Sequence, residues 1–119
     1  MDGTLLRGDG TISERTKSAI QQARQKGVKV VLASGRPIEG LERYLTELGL
    51  TTDDDYALSY NGALIKNVGT RENICSQLIS GKDLHDVYAV SQQIGVNTHA
   101  FSTELGLISP KLSHYTAHE

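Results

Sequence analysis

The stretch that decides the fold is Val28-Lys29-Val30-Val31-Leu32-Ala33-Ser34-Gly35-Arg36-Pro37. Its first part, Val28 to Ala33, is short, largely apolar and rich in β-branched residues, a pattern typical of a strand that is covered on both faces. The loop that follows, Ser34 to Pro37, ends in a proline suited to the first turn of a helix. This stretch therefore predicts a buried strand that leads through a polar loop into a helix.

Helices and strands alternate on both sides of this segment. Ser13 is a candidate N-cap for a helix from Glu14 to Lys26, on which apolar residues recur at helical spacing. A second helix is predicted from Ile38 to Leu48, and a further strand from Tyr56 to Tyr60. Such alternation argues for a parallel, doubly wound α/β sheet.

The pattern changes after residue 60. Asn61-Gly62 between two strand-like runs is a strong signal for a β-hairpin. We expect a partial α/β core over residues 1–80, followed by the beginning of an α+β domain over residues 81–119. The elements predicted in this half are strands at 63–66 and 72–79, a helix at 82–94, and paired strands at 96–101 and 105–108.

Composition argues against several classes of protein. The formal charge is −2 and the isoelectric point is about 6.1, so nothing favours binding to nucleic acid or to an anionic membrane. No apolar run reaches the roughly 18 residues that a membrane span requires. A single cysteine excludes an internal disulfide framework and fits a cytoplasmic location.

Two loops carry the chemistry of a candidate site. Asp2-Gly3-Thr4 offers a carboxylate, while Ser34-Gly35-Arg36 offers a hydroxyl, an unobstructed backbone N–H and a guanidinium before a helix N-terminus. The hydrogen-bond donors of the second loop suit a phosphate group. Taken by itself, this loop fits an ordinary strand-to-helix turn equally well. The two loops are separated by one helix and one strand, and together they favour an anion site with a carboxylate that could move a proton.

Four motifs follow one another along the chain: D-G-T-L-L at 2–6, I-S-E-R-T-K-S-A-I at 12–20, V-V-L-A-S-G-R-P at 30–37 and Y-N-G-A at 60–63. In this order they resemble the haloacid dehalogenase (HAD) superfamily, and more narrowly its Cof-type branch. The resemblance implies a Rossmann-like core with an inserted α+β cap. It also implies transfer of a phosphoryl group from a small phosphate ester, such as a sugar phosphate, to an aspartate and then to water, with Mg²⁺ as cofactor.

The resemblance also implies roles for individual residues. Asp2 matches the general acid/base of the family, and its backbone carbonyl matches a Mg²⁺ ligand. Gly3 and Gly35 match positions whose backbone N–H groups bind the phosphoryl group, and Ser34 matches the hydroxyl that holds it. Arg36 and Asn61 match substrate-facing positions, although an ion-paired arginine and a hairpin asparagine are also common structural residues.

The sequence departs from the family pattern in its catalytic aspartate and its later motifs. The nucleophilic aspartate belongs two residues before Asp2, one position ahead of Met1, and the lysine and acidic motifs that follow the cap would lie beyond Glu119. We therefore expect an amino-terminal fragment that is inactive, or nearly so, by itself. The alternatives are a non-catalytic phosphate-binding protein and a structural remnant without a ligand, and a homo-oligomer stays open.

Other polar residues are expected to be structural. The acidic run at residues 53–55 is predicted to be solvated surface rather than a metal cluster, and Cys75 to be a small buried residue of a strand. Tyr44 and Leu45 are expected in the core. The four histidines lack the spacing of metal ligands, and they are His85, His99, His114 and His118.

Overall fold

A computed structural model describes residues 1–111 and shows two compact units. The first unit is Met1–Leu78 and the second begins at Ile79. Residues 112–119, which include His114 and His118 and the last part of the predicted cap, lie outside the described residues. In the part of the chain that is described, no helix has the length and apolar character needed to cross a membrane.

The first unit is built on four strands that pair in chain order. β1 (Leu32–Ala33) is parallel to β2 (Tyr56–Ser59), with Leu32 opposite Ala57. β3 (Leu64–Asn67) and β4 (Asn73–Ser76) continue the sheet in antiparallel pairs. The parallel pair with its connecting helix confirms the predicted α/β class.

The helices of the first unit follow their local sequence signals. α1 (Glu14–Gln25) begins after Ser13, whose hydroxyl accepts a hydrogen bond from the Thr16 N–H at 3.1 Å, as a helix cap should. The predicted second helix is divided into a 3₁₀ turn at Ile38–Gly40 and α2 (Glu42–Glu47). A glycine at this position lowers helix propensity, which is consistent with the break.

The core lies between α2, the sheet and the loops that precede α1. The predicted apolar face of the second helix is confirmed, because Leu41, Tyr44, Leu45 and Leu48 are all buried. The remaining members of the buried cluster are Leu6, Ile12, Leu32, Ile38, Leu50 and Ala57.

The strand predicted at Val28 to Ala33 is shorter than expected. Only Leu32 and Ala33 are paired, and Val28 and Val31 are exposed. Within residues 1–111 β1 has one neighbouring strand, so its other edge carries no hydrogen-bonded partner. The prediction of a strand covered on both faces is therefore wrong for these two valines in this structure.

The connection between β2 and β3 also differs from the predicted two-residue turn. Ser59 pairs with Leu64, so four residues form the loop. Tyr60 and Asn61 both have left-handed backbone conformations, with φ of 51° and 57°. The antiparallel hairpin is confirmed, but its turn is wider and places an aromatic residue where asparagine and glycine are usual.

Two predictions about burial are wrong. Asp55 is buried rather than solvated, because Thr52 and Arg24 supply hydrogen bonds to its carboxylate, whereas Asp53 and Asp54 are exposed as expected. Cys75 is exposed. It lies in β4, a strand at the edge of the sheet whose four residues are all exposed.

The second unit contains one helix and one hairpin. α3 (Gly81–Ile94) begins with a capping box, in which the Ser80 hydroxyl and the Asp83 carboxylate each accept a hydrogen bond from the other residue's backbone N–H. β5 (Ala100–Ser102) and β6 (Gly106–Ile108) pair antiparallel, as predicted, although β5 begins four residues later than expected.

Candidate active site

The first loop of the site is a tight turn that carries Asp2. The backbone carbonyl of Met1 accepts hydrogen bonds from the N–H groups of Thr4, Leu5 and Leu6 at 2.9–3.2 Å. Gly3 adopts a positive φ of 67°, which glycine takes without steric cost. Leu6 is buried and fixes the end of the turn in the core, while the Asp2 side chain is 71% exposed.

The second loop continues directly from β1. The Ser34 N–H donates to the Leu58 carbonyl at 3.0 Å, which extends the parallel pairing by one residue. The Ser34 hydroxyl then accepts a hydrogen bond from the Arg36 N–H at 3.2 Å, so that a side chain shapes the loop. The loop therefore leaves the sheet at the carboxyl end of a parallel strand, where ligands of open α/β sheets bind.

The third loop, after β2, is tied to the second by main-chain hydrogen bonds. The Asn61 N–H donates to the Ser34 carbonyl at 2.9 Å, and the Tyr60 N–H donates to the Arg36 carbonyl at 3.2 Å. A Cβ atom at Gly35 would lie 3.0 Å from Oδ1 of Asn61. Glycine is thus the residue that permits this close approach.

An ion pair joins the first loop to the second. Nη2 of Arg36 lies 2.8 Å and 3.1 Å from the two carboxylate oxygens of Asp2. The hydrogen bond from Arg36, together with its charge, outweighs desolvation and holds the pKa of Asp2 below its ordinary value of 3.8. The resting state of Asp2 is therefore the carboxylate, which can accept a proton.

The structure brings together most of the residues that the sequence singled out. Asp2 contacts Arg36, and Ser34 and Gly35 contact Asn61, so residues from three loops meet at one end of the sheet. Gly3 lies beside Asp2 in sequence, but within residues 1–111 no hydrogen bond links it to the other two loops. The structure therefore tests where these residues lie, whereas their chemical roles stay predictions.

Sequence reasoning missed a second partner of Arg36. Its Nη1 lies 3.5 Å from the Tyr44 hydroxyl, and its Cζ lies 5.6 Å from the centre of the Tyr44 ring. The helical spacing correctly placed Tyr44 on the buried face of α2. Nothing in that spacing indicates that the hydroxyl end of the ring reaches the site.

Residues 1–111 do not by themselves fit a magnesium ion. Mg²⁺ prefers octahedral coordination by oxygen ligands, several of them carboxylates or water. No group of three or more His, Cys, Asp or Glu residues in this part of the chain could hold a metal ion. The Asp2 backbone carbonyl could supply one ligand, and we derive no chemical step through a metal.

The histidines of the second unit line a separate cavity. His85 and His99 border a space of about 270 Å³ between α3 and the β5–β6 hairpin, together with Leu84, Tyr88 and Ile108. His99 also meets Phe101 edge to face, with 6.0 Å between the ring centres. The cavity wall is mostly apolar, and among the described residues these histidines belong to no metal-binding cluster.

The Asp2 carboxylate, the Ser34 hydroxyl and the Arg36 guanidinium lie in loops near the carboxyl end of β1, which is the ligand-binding edge of an α/β protein. Comparison with known proteins specifies the class further. The family described as haloacid dehalogenase-like hydrolase matches residues 1–119, and the chain belongs to that family. The resemblance to the Cof-type HAD proteins is thereby confirmed.

Several known proteins are similar to this chain. YxeH of Bacillus subtilis, whose name proposes a phosphatase, is 38% identical over 120 residues, which cover 100% of this chain and 44% of YxeH. The sugar phosphatase BT4131, described as HAD subclass IIB, is 25% identical in structural alignment with a TM-score of 0.77 and covers 99% of this chain. A haloacid dehalogenase-like hydrolase from Bacteroides thetaiotaomicron aligns with a TM-score of 0.79 and 24% identity over 92% of this chain. The chain spans 44% of BT4131 and 41% of the Bacteroides hydrolase.

Proposed function

We propose that this chain forms part of a phosphatase that hydrolyses small phosphomonoesters, with sugar phosphates as the preferred class. The observation that carries the proposal is the ion pair between Asp2 and Arg36, which places a carboxylate beside the Ser34-Gly35 loop. Membership of a hydrolase family supports the reaction class. The sugar phosphate is suggested by the similarity to BT4131, which is a sugar phosphatase.

Binding of the phosphoryl group is assigned to the second loop. The Ser34 hydroxyl and the Gly35 N–H would donate to its oxygens, and the Arg36 guanidinium would neutralise part of its charge. An incoming phosphate dianion competes with Asp2 for the same guanidinium. Phosphate binding would therefore free Asp2 from its ion pair and let its pKa rise towards the ordinary value.

Proton transfer is assigned to Asp2. In its protonated form it would give a proton to the oxygen of the departing alcohol, while the phosphoryl group passes to an aspartate nucleophile. As a carboxylate it would then take a proton from the water that attacks this aspartyl phosphate and releases inorganic phosphate. The proton is returned by the end of the cycle, so Asp2 is regenerated. Residues 1–111 place no further carboxylate in contact with the Asp2–Arg36 pair, and we propose that the chain alone turns over little or no substrate.

The proposal is tested with p-nitrophenyl phosphate and a panel of sugar phosphates. The assay compares the 119-residue chain with a form that carries any flanking sequence its gene encodes, each with Mg²⁺ and after EDTA. We expect hydrolysis that depends on Mg²⁺ in the flanked form, and an Asp2→Asn variant of that form slower by about 10²–10⁴-fold. Ser34→Ala, which removes the hydroxyl assigned to the phosphoryl group, should also slow hydrolysis. Ser18→Ala, at an exposed position of α1, is its matched control and should leave the rate unchanged.

Two outcomes would contradict the proposal. A folded flanked form that hydrolyses none of these esters would exclude the phosphatase, and phosphate-dependent stabilisation of it would then favour the non-catalytic binding protein. Brisk turnover by the 119-residue chain alone would exclude its proposed inactivity.

A further inference from the structure

The guanidinium of Arg36 is held at both ends, by two very different partners. Nη2 contacts the exposed carboxylate of Asp2. Nη1 contacts the hydroxyl of Tyr44, a residue that is only 3% exposed as a whole. The Arg36 side chain itself is 35% exposed. One partner is therefore exposed to solvent, and the other belongs to the core.

Tyr44 is itself fixed on two sides. Its ring projects from α2 into the buried cluster, and the Arg43 guanidinium stacks on it at 4.5 Å from the ring centre. Its hydroxyl donates to the Gly10 carbonyl at 3.4 Å, and Arg43 Nη2 donates to the same carbonyl at 2.8 Å. The phenol is thus anchored to a helix and to the turn that precedes α1.

An exposed ion pair is a weak restraint on a long side chain, since both groups are well solvated. A buried aromatic ring contributes a cation–π contact and a fixed hydroxyl acceptor, and neither depends on where Asp2 points. The restraint that keeps Arg36 at the site is therefore expected to come from Tyr44 more than from Asp2.

We propose that Tyr44 is a positioning residue that holds the Arg36 guanidinium at the mouth of the site, ready to receive an anionic group. The inference rests on the proposed function only in taking that anion to be a phosphoryl group. It extends the site to a residue of the buried core. It also predicts that Arg36 stays ordered when Asp2 is removed.

The test measures the order of the Arg36 side chain by ¹⁵N relaxation of its Nε–Hε group in the 119-residue chain. In Asp2→Asn, a change at an exposed position, we expect Arg36 to keep its order. In Tyr44→Phe, which keeps the ring and loses the hydroxyl, we expect its order to fall part of the way towards that of the exposed Arg15 of α1, because the cation–π contact remains. Lys26→Gln, which removes an exposed cation just after α1, is the control expected to leave Arg36 unchanged.

A second measurement uses inorganic phosphate as the probe. We expect Tyr44→Phe to weaken phosphate binding about threefold or more, with little change in melting temperature. The proposal would be overturned if Arg36 became as mobile as Arg15 in Asp2→Asn, or if its order in Tyr44→Phe were the same as in the wild type. If phosphate binds to none of the proteins, the proposed function is in question, while the relaxation data still test the role of Tyr44.

Discussion

The burial of Asp55 leads to a quantitative prediction about stability. Its side chain is 7% exposed, and its carboxylate accepts hydrogen bonds from the Thr52 N–H at 2.9 Å, the Thr52 hydroxyl at 2.8 Å and Arg24 Nη2 at 3.2 Å. Hydrogen bonds to a charged group contribute about 1.5–3 kcal/mol each. Thr52 is exposed and Arg24 is partly exposed, so water would replace many of the hydrogen bonds that these two residues lose when Asp55 is removed. We expect Asp55→Ala to lower the free energy of unfolding by about 3 kcal/mol.

The neighbouring aspartate provides a matched control. Asp54 is 86% exposed and pairs only with the exposed Lys29 at 3.3 Å, so Asp54→Ala should change the free energy of unfolding by about 0–0.5 kcal/mol. Urea unfolding followed by circular dichroism measures both variants under the same conditions. If Asp55→Ala falls within about 1 kcal/mol of Asp54→Ala, the buried network does not stabilise the fold as argued.

The same residue should make stability depend on pH. Burial would raise the pKa of Asp55, but the hydrogen bonds from Thr52 and the charge of Arg24 outweigh it and lower the pKa below the ordinary 3.8. A carboxyl whose pKa is lower in the folded state stabilises the fold above its unfolded pKa, and this contribution is lost as pH falls through the folded pKa. The difference between the wild type and Asp55→Ala should therefore be full at pH 7 and shrink below pH 3.8. A difference that grows in acid would contradict this sign.

Three further changes test the packing and the site. Gly69→Ala would place a Cβ 2.5 Å from the backbone nitrogen of Asp53, so urea unfolding should show a loss of stability of about 1–3 kcal/mol. Gly8→Ala is the control, because Gly8 has open space around it and the change should be nearly neutral. Ser80→Ala removes the cap of α3 and should cost the second unit about 1 kcal/mol, which hydrogen exchange of the helix amides would reveal. Gly35→Ala should displace the amide side chain that it faces and weaken phosphate binding in calorimetry while the chain stays folded. Equal phosphate affinity in that variant would show that the close approach of the two loops is irrelevant to binding.

Local signals were sufficient to predict much of the fold. The repeat of apolar residues from Leu41 to Leu48 identified the buried face of the second helix, and the capping serine at Ser13 identified the start of the first. Both signals work because helix periodicity and capping involve residues three or four positions apart. The approach of the second and third loops was also predictable, since these loops follow β1 and β2, and the carboxyl ends of neighbouring parallel strands meet at one edge of the sheet.

Predictions failed where the deciding partner is distant in sequence. Asp55 is buried because Arg24 of α1, 31 positions earlier in the chain, reaches its carboxylate, and no pattern within the acidic run at 53–55 reveals that pairing. The exposure of Cys75 depends on its strand being at the edge of the sheet. The contact between Tyr44 and Arg36 depends on how α2 packs after the 3₁₀ turn, and such tertiary contacts override what local propensity predicts.

The main-chain hydrogen bonds between the second and third loops have a consequence for variation of the site. They join peptide groups of Ser34 and Arg36 to those of Asn61 and Tyr60, so they need no particular side chain, provided that positions 60 and 61 carry residues that accept a left-handed backbone. The side chains that the second and third loops present can therefore change without a change in the distance between the two loops. A protein built in this way can exchange Tyr60 or the amide of Asn61 for other groups and alter what a ligand meets, while the Ser34 hydroxyl keeps its place relative to the sheet.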